Sequence, residues 1–204
     1  MNEVVPNAKD SSIVHSDSTL ILGERFKAVY KTNGILYVLG SKGDTLSKER
    51  GLYHQFEFDD FNGDGLDDIR VHYVTNLPIE DLLMFDSSRK KFRKVLDFSK
   101  YPEPQTIPGT NYYYSYHRSG CADADWDSDL FFIENFKAIR IGNIAGRQCQ
   151  NRDEKDGIYI SGIFGENSKP IAILPIDVIE KYEGNKWDFI KDYWSKNYRR
   201  FVSK

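Results

Sequence analysis

The stretch Asp60-Phe61-Asn62-Gly63-Asp64-Gly65-Leu66-Asp67-Asp68 constrains this chain more than any other, because its side-chain oxygens recur at alternate positions with a glycine directly after the third. A hard divalent cation such as calcium takes about six to eight oxygen ligands, and a loop offering them at positions 1, 3 and 5 wraps the ion in a tight spiral. With Asp60 at position 1, Asn62 and Asp64 fall at 3 and 5 and Gly65 at the sharp turn. Leu66 then stands at the backbone-carbonyl position and Asp68 at position 9. Position 12 is Val71, not the bidentate Glu that closes an EF-hand. On either side, Tyr53 to Phe58 and Arg70 to Val74 alternate in the period of strands. The sequence therefore predicts a Ca2+ loop between two β-strands, held by Asp60, Asn62, Asp64, Leu66 and Asp68, with Asp59 and Asp67 adding to the negative field. The competing reading is an acidic turn rich in Asn, Asp and Gly that binds no ion.

These residues resemble the FG-GAP type of repeat found in integrin α-subunit propellers and many secreted bacterial proteins. Its signature, D-x-N-x-D-G-x-x-D followed by an aliphatic residue, is matched from Asp60 to Ile69. The loop occurs once. A propeller with a calcium site in every blade is therefore not expected, whereas a small propeller-like stack of hairpins is.

Residues 1–17 are polar and without a sustained period, and read as a flexible leader or spacer ahead of one domain over 18–204. Thr19 to Leu22 and Phe26 to Lys31 are strand-like. Asn33-Gly34 then precedes Ile35 to Leu39, the strongest short hairpin signal. Gly40 to Arg50 reads as a polar connection. Leu82 to Phe85 and Phe92 to Val95 form the next strand pair, residues 99–110 a proline-rich loop, and Tyr112 to Tyr116 an aromatic strand. Ile158 to Phe164 and Ile171 to Leu174 form the last pair. Near 186–202 the period changes: Trp187, Ile190, Trp194, Tyr198 and Phe201 recur at steps of three and four, as on one face of an amphipathic helix. The sum is an all-β antiparallel architecture with one C-terminal helix.

The chain has two cysteines. Leu130 to Ile133 and Phe136 to Gly142 read as a hairpin turning near Asn135, and Cys121 and Cys149 are symmetric about that position. Strands continuing without a net bulge would set them roughly 4.5–5.5 Å apart at Cα, a separation a disulfide accepts. A disulfide implies an oxidising compartment. A net charge of −3 and a pI of about 5.8 argue against a nucleic-acid partner, whose affinity must come from neutralising phosphates. No apolar run reaches the ~18–20 residues needed to cross a bilayer, and the N-terminus has no apolar signal segment. The chain is thus either cytoplasmic or a periplasmic or secreted protein whose leader is absent from this sequence, and the disulfide favours the second.

Beyond calcium, Asp123, Asp125, Asp127 and Asp129 alternate beside Cys121. On an extended segment all four carboxylates would face one way, as a second cation site, a paired-carboxylate centre or a solvated acidic face. His54, His72 and His117 lack zinc-ligand spacing, and no nucleophile elbow, P-loop or dinucleotide fingerprint occurs. No catalytic residue is assigned, and the expectation is a protein that is not an enzyme. Over roughly residues 52–149, the calcium loop, Leu82-Leu83-Met84-Phe85-Asp86, Lys90-Lys91-Phe92, Gly120-Cys121-Ala122, Trp126 and Ser128-Asp129-Leu130-Phe131 resemble a family of bacterial periplasmic proteins with one calcium loop. That resemblance implies a propeller-like fold similar to bacterial lysozyme inhibitors and a role as an immunity protein against a cell-wall-degrading, lysozyme-like enzyme. The alternative is a cell-surface adhesion or glycan-binding module, with Tyr112, Tyr113 and Tyr114 stacking on sugars.

Overall fold

A computed structural model describes residues 12–149 and 155–202, and the chain divides into two compact units, one ending at Val95 and the other starting at Leu96. The first unit holds two four-stranded antiparallel meanders. One comprises β1 (Ile13–Ile21), β2 (Glu24–Lys31), β3 (Ile35–Leu39) and β4 (Thr45–Arg50); the other comprises β5 (Tyr53–Asp59), β6 (Asp68–Tyr73), β7 (Glu80–Asp86) and β8 (Lys91–Lys94). Alternation sends Phe26, Ala28 and Tyr30 of β2 and Leu36 and Val38 of β3 inward, to meet Phe56, Ile69, Val71, Leu83 and Phe85 in one core. Phe26, Phe85 and Phe92 meet edge to face, with ring centroids 5.2–5.8 Å apart. Each such side chain contributes roughly 1.5–3 kcal/mol on burial.

In the second unit one sheet runs in the order β15-β14-β13-β12-β10-β9, with β11 also paired to β12. Its strands are β9 (Gln105–Thr106), β10 (Tyr112–Tyr114), β11 (His117–Gly120), β12 (Asp125–Glu134), β13 (Lys137–Arg147), β14 (Gly157–Phe164) and β15 (Asn167–Leu174). Helix α1 (Lys186–Asn197) runs into a 3-10 turn, Tyr198–Arg200. Phe189, Ile190, Trp194 and Phe201 are buried with Trp126, Leu130, Ile144, Ile158 and Ile160 of the sheet. The indole N–H of Trp194 donates to Ser128 Oγ at 2.8 Å, so both polar atoms of this closed contact are satisfied.

Several sequence expectations change. The region 18–204, expected as one domain, falls into the two compact units described above. β1 begins at Ile13, so the last part of the expected leader pairs with β2; residues 1–11 of it lie outside the described residues. Residues 45–50 form β4 rather than a connection. Their polar composition suits an edge strand, which charged side chains protect from further pairing. The helix buries Phe189, while Trp187, placed on the inward stripe by its spacing, is 47% exposed. The sheets are open, and no closed propeller is found among the described residues.

Cys121 and Cys149 are joined, with Cα atoms 5.8 Å apart, but not as facing strand residues. Cys121 lies in the turn before β12, and Cys149 follows the end of β13. The hairpin pairs Glu134 with Lys137 and Trp126 with Gly146, with a bulge at Leu130/Phe131. The bridge closes a separation of 28 residues, so its loss frees roughly 3–4 kcal/mol of unfolded-chain entropy. A Cys121→Ser/Cys149→Ser double variant is expected to melt several degrees below the parent by circular dichroism, and an unchanged melting curve would contradict this.

Candidate metal centre

The loop from Asp60 to Asp67 joins β5 to β6, whose register pairs Asp59 with Asp68 at its base. It is folded around its own carboxylates. Asp60 Oδ1 accepts the backbone N–H groups of Gly63 (2.9 Å) and Asp64 (3.0 Å), and Asp60 Oδ2 that of Gly65 (2.9 Å). Asn62 Oδ1 accepts the Asp64 amide at 2.9 Å, Asp64 Oδ1 accepts the Leu66 amide at 2.9 Å, and Asn62 Nδ2 donates to Asp64 Oδ2 at 3.0 Å. Gly63 and Gly65 hold φ near +76° and +84°, the left-handed region that a side chain disfavours. Two apolar residues fasten the loop from beneath: Phe61 is buried, and Leu66 packs on the core of the first unit.

Asp68, the first residue of β6, is 1% exposed. Its Oδ1 accepts the Phe85 amide of β7 at 2.9 Å, whereas its Oδ2 is buried without a hydrogen-bond partner. Leaving one such oxygen dry costs roughly 1–3 kcal/mol, and more when it is charged. Burial, with added repulsion from Asp64 and Asp60, pushes the Asp68 carboxyl up to about 7, against the pull of the Phe85 and Asn62 amides. A positive charge beside Oδ2 would offset both penalties. The donor set is all oxygen and mostly carboxylate, which suits a hard cation such as calcium. On both counts the donor chemistry fits the ion, while the described structure does not gather carboxylate oxygens of Asp60, Asp64 and Asp68 within 4.8 Å of one another.

The other two aspartates of the stretch are engaged elsewhere. Asp67 accepts from the Thr19 hydroxyl, and Asp59 Oδ2 lies 2.9 Å from Arg70 Nε. Arg70 is the hub of a network that the sequence does not announce. It also meets Glu57 at 2.5 Å and Glu80 at 3.5 Å, while His72 lies 3.3 Å from Glu57 and 3.4 Å from Glu80. The alternation of Arg70 and His72 on β6 is the signal that would have found it. Burial raises Glu57, but Arg70 and His72 outweigh it and hold that carboxyl low. The bond to Glu80 raises His72 against the opposing effect of burial.

Asp123, Asp125, Asp127 and Asp129 do not converge. Asp123 precedes the strand, in a left-handed turn (φ +78°), and binds Lys186 Nζ at 2.6 Å and the Tyr116 hydroxyl. The other three share the face of β12 opposite Trp126, Ser128 and Leu130, each with its own partners. Asp125 Oδ1 accepts the amides of Gln148 (2.8 Å) and Cys149 (3.1 Å), Asp127 pairs with Arg147 (2.9 Å), and Asp129 pairs with Arg140 (3.2 Å) and Asn143 (2.9 Å). Cys121, Cys149 and Asp125 bring one donor atom each within 4.8 Å, but the sulfurs are bonded to one another and leave no thiolate for a metal. Of the three tyrosines proposed to stack on sugars, Tyr113 and Tyr114 are buried.

These sheets and the terminal helix define an antiparallel β protein. No family model and no curated protein matches the chain. Among solved structures it is similar to a Xanthomonas type IV secretion system related protein, with a TM-score of 0.53 and 14% identity over 79% of this chain and 98% of that one. At that identity the likeness is one of fold. No helix among the described residues is long and apolar enough to cross a membrane.

Because the folded-state pKa of His72 lies above its ordinary value of 6.5, its contribution to stability is full below that value and is lost as pH rises through the raised one. His72→Gln is therefore expected to destabilise the protein by a few tenths to about 1 kcal/mol near pH ~5.5 and by almost nothing near pH ~8.5. Chemical denaturation at the two pH values tests the sign; a difference that grew with pH would contradict it.

Proposed function

We propose that this chain is a calcium-pinned binding protein of the periplasm or cell exterior, which acts by contact and inhibits a cell-wall lytic, lysozyme-like enzyme. The observation that carries the calcium reading is Asp68 Oδ2, a buried carboxylate oxygen without a hydrogen bond at the end of a loop rich in carboxylates. Asp60, Asn62, Asp64 and Asp68 would hold the ion through side-chain oxygens, with Leu66 contributing its carbonyl. When bound, the ion supplies positive charge that fixes the β5–β6 connection. The chain's own residues do the rest: Phe61 and Leu66 fasten the loop, and Arg70 absorbs the charge of Asp59 that the ion does not reach.

The disulfide supports an oxidising location. A role in contact rather than turnover is supported by the Asp123–Asp129 cluster, whose Asp123, Asp127 and Asp129 are tied to Lys186, Arg147 and Arg140. Two four-stranded meanders are the units from which propeller blades are built, in keeping with the resemblance to propeller-like inhibitors.

Calcium at about a hundredfold over its Kd is expected to stabilise the folded chain by about 2.7 kcal/mol, a rise in melting temperature of roughly 5–10 °C, reversed by EDTA and absent in Asp68→Ala. Melting curves indifferent to calcium would reject the ion. Separately, the chain is expected to suppress peptidoglycan lysis by at least one member of a broad panel of lysozyme-type enzymes. Failure to inhibit or bind any of them would reject the inhibitor reading while leaving the calcium reading intact.

A further inference from the structure

We propose that the second unit carries a binding pocket for one neutral sugar ring, bounded by Tyr116 and Trp187. It is a cavity of about 210 Å³ between the chain around β9–β10 and the first turns of α1, with Tyr114, Tyr116 and Ile190 as its buried floor. Trp187 forms a wall. Its indole meets the Tyr116 ring at 3.9 Å between centroids, yet remains 47% exposed, in a protein whose other two tryptophans, Trp126 and Trp194, are sealed in the core. An aromatic face left wet beside a cavity suits a ligand that is apolar on one side and polar on its edge.

The polar lining selects among such ligands. Glu103 and Asp188 bring carboxylates, Lys191 an ammonium, and Gln105 an amide, so hydrogen-bond acceptors and donors surround one aromatic wall. Asp188 is anchored by the Gly184 amide at 2.9 Å. A cationic ligand meets competition from within the chain: Lys186 Nζ lies 5.3 Å and 5.5 Å from the centroids of Tyr116 and Trp187, held there by Asp123. An anion would face two carboxylates. Hydroxyls, each donor and acceptor at once, satisfy both signs of partner, and the C–H face of a pyranose lies on an indole. Those are the properties of a sugar. The pocket owes nothing to the calcium loop or to the proposed enzyme partner, so its failure and theirs are separate.

Trp187 is also the reporter, because it is the one exposed tryptophan. The full chain should be titrated with glucose, galactose, mannose, N-acetylglucosamine and short chitin and peptidoglycan fragments, while acrylamide quenching of tryptophan fluorescence is read and the heat of binding is measured. At least one of these sugars is expected to shield Trp187. Trp187→Ala should weaken calorimetric binding by roughly tenfold or more, the scale of one lost aromatic contact. Trp187→Phe should retain it within about threefold, and Tyr112→Ala should leave it unchanged. Binding of no sugar in the panel, unchanged affinity in Trp187→Ala, or shielding by tetramethylammonium but by no sugar would overturn the proposal.

Discussion

A single buried carboxylate sets the terms for the first unit. Asp68 begins the strand β6, and its Oδ1 is spent on the Phe85 amide of the adjacent strand. That bond fixes the start of β6 against β7 and leaves Oδ2 in a dry place, facing the field of Asp60 and Asp64. A chain that puts a carboxylate there needs a proton or a cation with it. The second solution is the one proposed here: in the loop above, Asp60 orders three backbone amides and Phe61 and Leu66 anchor the turn in the core. Preorganisation of this kind would let the binding energy of a cation go into holding it rather than shaping the loop.

The second unit manages its charges differently. Each carboxylate of Asp123, Asp127 and Asp129 has a cationic partner, and Asp125 takes two amides beside the disulfide. These are contacts that stiffen a sheet and its turns. The same unit gathers Tyr116, Lys186 and Asp123 into one contact that fastens the start of α1 to the strained turn before β12. Trp187, next to the anchored Lys186, stays half exposed, while Phe189 fills the core.

Much of this was legible in the sequence wherever burial alternates cleanly. β2, β3, β5 to β8 and β12 to β15 follow from apolar periodicity and turn residues, and the turn between β5 and β6 from its Asn, Asp and Gly. The misses have physical reasons. β4 and β11 are polar, so no apolar period marks them; they form because a neighbour supplies hydrogen bonds. The bulge at Leu130/Phe131 shifts the hairpin register without a sequence signal, and the cysteines meet through a turn instead. Trp187 and Phe189 lie about 200° apart on the helix, and the buried face is centred on Ile190 and Trp194 and takes in Phe189 rather than Trp187. The Arg70 network escaped because its acidic partners come from β5 and from β7, neighbours that only the register of the sheet brings together.

Isothermal titration of calcium into chelator-treated protein tests most directly whether the chain binds one calcium ion through Asp68 and the loop before it. Saturable binding with one ion per chain is expected, lost in Asp68→Asn and Asp60→Ala and kept in Asp125→Asn. No binding heat at millimolar calcium, or binding undiminished in Asp68→Asn, would contradict it.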